Sequence, residues 1–191
     1  MHVTGETTYP WAMSIIVTVP HAVGQSAQHG YDYVAHSVAQ ELVTLLRQAN
    51  FHVLYLVGDQ GRTETCDLNR KRQCNESSFQ TRYFLALASK PVFVLDIHSY
   101  PATEPATRAS PAYVLFETPV SENVQKLMRT LAVPTFPGAP GVNAIISWAT
   151  INGIDAVLLE FNELFWSLQK LRIHMVLVQL VEHLVRKHRR S

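Results

Sequence analysis

The sequence predicts an α/β fold built on a mostly parallel mixed sheet with helices on both faces. Three observations carry that prediction. Short apolar and β-branched runs recur at 13–19, 51–57, 92–100, 112–116 and 155–162, segments with helical spacing lie between them, and loops bearing Pro or Gly separate the two kinds. Strands that alternate with helices are joined by crossovers, and crossovers make parallel pairs. A chain of 191 residues, 47% hydrophobic and 16% charged, suits one well-buried domain, 1–191, and is short for two.

Taken in order, residues 1–11 are polar, and S-I-I-V-T-V (14–19) forms the first strand, which Pro20 stops just before His21. Apolar residues at Val34, Val38, Leu42, Leu45 and Leu46 predict an amphipathic helix over 31–50, with Asp32 at or near its first turn, where a carboxylate is favoured. F-H-V-L-Y-L-V (51–57) is the second strand. A polar loop, 58–74, follows and gathers seven charged residues. Asn75 is the expected N-cap of a helix reaching residue 89. V-F-V-L-D-I-H-S-Y (92–100) begins as a continuous apolar run between prolines, the signature of a strand buried on both faces. A Pro- and Ala-rich loop leads to the strand 112–116 and to a helix over 121–131, with Ser121 as its cap and Glu122 in its first turn. Residues 134–141, with three prolines and two glycines, read as a loop. A helix over 143–152 ends at Gly153, D-A-V-L-L-E-F-N (155–162) is a further buried strand, and one long helix from 164 to about 186 closes the chain.

Composition removes several function classes. A formal charge of +1 offers no field for nucleic acid, and the basic cluster at 186–190 reads as a solvated helix end. No apolar run is long enough to span a membrane, and residues 1–12 lack the pattern of an export signal. Two cysteines, Cys66 and Cys74, make no disulfide framework and no C-x-x-C pair, so a cytoplasmic, reducing setting is the default. No G-x-G-x-x-G or phosphate loop follows a strand, which disfavours a nucleotide-binding module.

Chemistry gathers at strand ends. Side chains alternate along a strand, so Asp96 and His98 share a face at the carboxyl end of theirs, where open α/β sheets bind ligands. His21 ends the first strand in the same way. A catalytic zinc takes three protein ligands from His and carboxylate and leaves a fourth position open, a task that suits His21 and His98. Glu160, emerging from an apolar strand, suits a general base because burial raises its pKa. Asp96 reads as the acceptor for a ring nitrogen of a metal-bound histidine. Ser99 lacks the G-x-S-x-G pattern of a nucleophile elbow, His36 fits a helix surface, His52 a strand interior, and Trp148 and Trp166 the core.

The loop R-T-E-T-C-D-L-N-R (62–70) resembles the R-x-x-x-C-D-L-N-R segment of aspartoacylase and its relatives in the zinc carboxypeptidase superfamily. V-P-H (19–21), D-L-N-R (67–70), L-D-I-H-S (95–99) and A-V-L-L-E-F-N-E-L-F (156–165) are similar, in order, to the N-formylglutamate amidohydrolase family. The resemblance implies a phosphorylase/hydrolase-like fold holding one Zn2+ and hydrolysing an amide, in an N-acyl amino acid or peptide substrate that bears a carboxylate. It further implies His21 and His98 as zinc ligands, Glu160 as general base, Arg62 polarising the scissile carbonyl, and Asn69 and Arg70 gripping the substrate carboxylate. Arg matches that last task with a planar two-pronged donor. The chain departs from the pattern at H-A-V-G-Q (21–25), which lacks the H-x-x-E carboxylate. Asp32, in Y-D-Y-V, is the expected third ligand, with Gln25, His29 and Asp59 as rivals and a purely helix-terminal carboxylate as the alternative. A degenerate, non-catalytic member of the same fold that binds a partner is the competing functional expectation.

Overall fold

The computed structural model describes residues 13–22, 32, 34–63, 66–70, 78–101, 110–139 and 141–188. Six strands form one sheet: β1 (Ser14–Val19), β2 (His52–Val57), β3 (Phe93–Tyr100), β4 (Ala112–Phe116), β5 (Thr135–Pro137) and β6 (Ala156–Asn162). Their order is β2-β1-β3-β6-β4-β5. β1 pairs in parallel with β2 and β3, β3 with β6, and β4 with β5, whereas β4 runs antiparallel to β6. The sheet is therefore the mostly parallel mixed sheet that the sequence predicts. Among the described residues four helices join strands, α1 (Ala35–Gln48), α2 (Ser78–Ala88), α3 (Glu122–Leu131) and α4 (Ala144–Ile151), and two follow the last strand, α5 (Glu163–Leu168) and α6 (Lys170–His188).

Strand alternation sorts the core into two layers. Ile15, Val17 and Val19 of β1, Phe93, Leu95 and Ile97 of β3, and Val157, Leu159 and Phe161 of β6 pack against α1, α3 and α6. Ile16, Val94, Ala156 and Leu158 face the other way, onto Phe79 and Tyr83 of α2 and Ile145 and Ile146 of α4. All eight residues of β3 are buried, which explains its unbroken apolar start. The period of two then places Thr18, Asp96, His98 and Glu160 on the α2/α4 face, and the register sets Thr18 beside Asp96 and His98 beside Glu160. A polar stripe thus crosses three strands at the end of an otherwise apolar layer.

Several predicted boundaries shift, each for a tertiary reason. α1 starts at Ala35 with no side-chain cap, so Asp32 lies before the helix rather than in its first turn. Asn75 lies outside the described residues, and the first turn of α2 is capped from afar by Asp59, whose Oδ2 accepts from Ser78 N (2.8 Å), Ser78 Oγ (2.6 Å) and Phe79 N (3.2 Å). Ser121 caps α3 as predicted, accepting from Val124 N. The loop 134–141 contains the three-residue strand β5. The closing helix is two helices, broken at Gln169, whose φ of −141° is not helical. His52 is exposed at the start of β2 rather than inside the strand. Cys66 is disulfide-bonded, although so sparse a cysteine content predicts no disulfide framework. No helix among the described residues is long and apolar enough to cross a membrane.

Gly58 fixes where β1 meets the loop that follows β2. Its N–H donates to Val19 O (2.9 Å), and a Cβ at this position would lie 2.0 Å from Pro20 O, a backbone atom that cannot swing away. Gly58→Ala is expected to destabilise the protein by about 3 kcal/mol, within the range of overpacking, because the Pro20-His21 turn must move. Urea unfolding would show this as a lowered midpoint with an unchanged slope.

Candidate active site

His21 follows β1 and His98 lies near the end of β3, so the adjacent parallel strands bring two buried imidazoles together, 4.9 Å between ring centroids and nearly perpendicular. Each ring is anchored through Nε2 by a carboxylate. His21 Nε2 lies 2.9 Å from Asp67 Oδ1, and His98 Nε2 lies 3.1 Å from Asp96 Oδ2. A carboxylate oxygen only accepts, so each Nε2 carries a hydrogen; a protonated ring also turns an Nδ1–H toward Asp32, and a neutral ring offers the Nδ1 lone pair. Asn69 Nδ2 also lies at hydrogen-bond distance from the His98 ring, 3.0 Å from Nε2.

Both Nδ1 atoms face Asp32. They lie 3.4 Å (His21) and 2.7 Å (His98) from Asp32 Oδ2, yet this buried oxygen makes no hydrogen bond. Asp32 is itself tied to the site by its N–H, which donates to His21 O (3.3 Å). One ligand atom from each of His21, Asp32 and His98 lies within 4.8 Å of the others. Two Nδ1 atoms, each a ligand once its proton is displaced, and an unsatisfied carboxylate oxygen converge in a buried place and fit a divalent cation: two imidazoles and a carboxylate are a donor set for catalytic zinc. Asp59 caps α2, and Gln25 and His29 lie outside the described residues.

The electrostatics follow from this geometry. Burial works to lower both histidine pKa values, but carboxylates outweigh it: Asp32 and Asp67 raise His21, and Asp96 and Asp32 raise His98 well above the usual range. Burial likewise works to raise Asp32, and the two histidines reverse that effect and lower it. Glu160 stands apart. Beside His98 in register and partly buried, it is pushed by burial from 4.5 up to about 7, with His98 opposing and the Asp32 and Asp96 charges reinforcing the rise.

His21, Asp32, Asp67, His98 and Glu160 line a cleft of about 250 Å³ together with Arg62, Arg70, Asn143 and Glu163. Arg62 Nε and Arg70 Nε lie 3.0 and 3.4 Å from Asp67 Oδ2, and Arg70 also donates through Nη1 to Val142 O (3.1 Å). Both guanidiniums remain more than a third exposed. Asn69 is buried, and its two carbonyl oxygens accept from Ala144 N (2.9 Å) and Ile145 N (3.3 Å), so it caps α4 across the sheet end. Ser99 Oγ donates to Glu163 Oε1 (2.9 Å) and accepts from Val34 N (3.3 Å), which joins α1 to α5 at the cleft wall. Asp96 takes a hydrogen bond from Thr18 Oγ1 (2.6 Å) in addition to its histidine contact. The sequence pattern did not assign the parts played by Asp67 and Glu163; the only signal for Asp67 was its place in C-D-L-N-R.

Comparison with protein families and with curated proteins gives no match. Solved structures do match. Gene product Atu2144 of Agrobacterium tumefaciens is similar with a TM-score of 0.61 at 14% identity, over 94% of this chain and 92% of that one. The catalytic domain of CwlV, an N-acetylmuramoyl-L-alanine amidase from Bacillus (Paenibacillus) polymyxa var. colistinus, gives 0.57 at 13%, over 92% and 98%. An aspartoacylase family protein of Mesorhizobium loti gives 0.57 at 15%, over 88% of this chain and 58% of that longer one. At such identities the likeness is one of fold: this chain has an α/β architecture that an amidase and an aspartoacylase family protein also use.

Proposed function

We propose that this chain is a zinc-dependent hydrolase of an amide in a carboxylate-bearing substrate, an N-acyl amino acid or a short peptide. The observation that carries the reading is the convergence of His21 Nδ1, His98 Nδ1 and the unsatisfied Asp32 Oδ2 beside a glutamate whose pKa is about 7. The fold shared with an amidase and an aspartoacylase family protein supports the reaction class. A zinc ion bound by His21, Asp32 and His98 would polarise a carbonyl and acidify water.

The remaining work falls to side chains. Glu160, ionised, accepts a proton as water adds to the amide carbon, and then delivers that proton to the leaving nitrogen, so one carboxyl serves as base and acid in turn. In the metal-free protein its pKa is about 7, so this carboxyl can both take up and release a proton near neutrality. Arg62 supplies a fixed cation beside the cleft for the developing oxyanion, and Arg70 for the substrate carboxylate. Asn69 contributes by holding α4 against the loop that carries both arginines, with its amide against the His98 ring.

Zinc-loaded protein is expected to release free amine from N-acetyl amino acids or short peptides with a free carboxylate, and to lose that activity on treatment with a chelator and regain it with zinc. Blocking the substrate carboxylate as an amide should raise KM more than it lowers kcat. Stoichiometric zinc uptake without any turnover on such a panel would favour a binding protein built on the same fold.

A further inference from the structure

Asp67 touches no substrate in this scheme, yet its carboxylate is heavily engaged within the cleft. Oδ1 receives His21 Nε2 (2.9 Å) and Asn69 N (2.9 Å), and Oδ2 receives Arg70 Nε (3.4 Å) and forms an ion pair with Arg62 Nε (3.0 Å). A carboxylate has about four lone-pair directions, so three hydrogen bonds and an ion pair leave Asp67 little freedom to turn. Its backbone is also fixed: Asp67 O accepts from Arg70 N (2.9 Å), and Gln80 Nε2 holds the neighbouring Leu68 O (3.3 Å).

We infer that Asp67 is a positioning residue that couples the metal ligand His21 to the two cleft arginines, so that the hold on a guanidinium sets part of the hold on the metal. The inference rests on the metal reading of His21, Asp32 and His98. A carboxylate is a rigid plane, and turning it to suit Oδ2 also moves Oδ1, so the arginine side and the histidine side cannot adjust separately. Both arginines engage Asp67 through Nε, and their exposed remainder borders the cleft, where the carboxylate of the proposed substrate would bind. An anion that draws on Arg62 therefore acts through Asp67 on the His21 ring. By linkage, metal at the histidines changes anion affinity by the same factor.

The test is a double-substitution cycle read as zinc affinity, by titration of metal-free protein against a competing chelator. Asp67→Asn should weaken zinc binding roughly 10- to 100-fold, as loss of a carboxylate behind a ligating histidine does. Arg62→Lys keeps the local charge but loses the Nε contact. It should weaken zinc binding roughly three- to tenfold when Asp67 is present and by less than about twofold when residue 67 is Asn, the non-additivity expected of a shared partner. Equal losses in both backgrounds, or an Arg62→Lys protein that binds zinc as tightly as the parent, would overturn the coupling while leaving the metal site standing. A parent protein that takes up no zinc would overturn the metal reading itself, and this inference with it. Thermal unfolding of the chelated proteins closes the remaining route: if Arg62→Lys lowers the melting temperature and leaves zinc affinity alone, Asp67 only staples the loop and the inference fails. Should Asp67→Asn not fold, the Arg62→Lys comparison with the parent still decides.

Discussion

Glu160→Gln is expected to lower turnover about a hundredfold or more with zinc retained, and at the same time to stabilise the metal-free protein above pH 7. The two effects share one cause. In the unfolded chain this carboxyl ionises near 4.5, whereas burial in the fold raises it to about 7. Between those values the folded state binds more protons than the unfolded state, so stability falls as pH rises from 4.5 to 7 and stays low above. The shift corresponds to at most about 3 kcal/mol in the chelated protein. Glutamine has no charge to keep buried, so the variant escapes that loss. Melting curves of chelated parent and variant should coincide near pH 4 and separate by pH 8, with the variant higher. Equal separation at both pH values would show that Glu160 carries no raised pKa. In the active protein the same group predicts an acidic limb in kcat/KM that disappears in the variant, and near-normal kcat in Glu160→Gln would remove Glu160 as the base.

Most of the fold was legible because burial is written in runs. β3 is buried along its whole length and reads as V-F-V-L, while α1 buries Val38, Leu42 and Leu46 and reads as a helix by spacing. What was not legible depends on partners distant in sequence. Asp59 caps α2 and Asn69 caps α4 across gaps of 19 and 76 residues, and no local pattern announces such caps. β5 is three exposed residues in a Pro- and Gly-rich loop, and only its pairing with β4 makes it a strand. The antiparallel placement of β4 beside β6 likewise comes from packing, not from the residues of either strand. In the site, strand alternation was enough to put Asp96 and His98 on one face and in contact. Nothing in the order of residues says that Asp67 lies behind His21, because that contact joins two loops that meet only when β1 and β2 pair.

His98→Ala should abolish measurable zinc binding, since two remaining ligands do not fix the ion. The substitution also leaves Asp32 and Asp96 as buried carboxylates without their shared partner, and the metal-free variant should lose about 3–5 kcal/mol of stability near neutral pH, as broken buried ion pairs do. Loss of metal could then be blamed on unfolding, so His21→Gln serves as a second variant: it retains a hydrogen-bonding group toward Asp67 and should fold while losing most zinc affinity. The parent protein carries a pH signature of the same arrangement. Because both histidine pKa values are raised in the metal-free fold, the stability that their protons confer is fully present below 6.5 and is lost as pH rises through the raised values. Zinc must displace those protons, so its apparent affinity should climb with pH across that same interval, with protons released on binding. Titrations in buffers of different ionisation enthalpy would count the released protons directly. Zinc affinity that does not change between pH 6 and 8, or full occupancy in both histidine variants, would place the metal elsewhere and dissolve the site built on His21, Asp32 and His98.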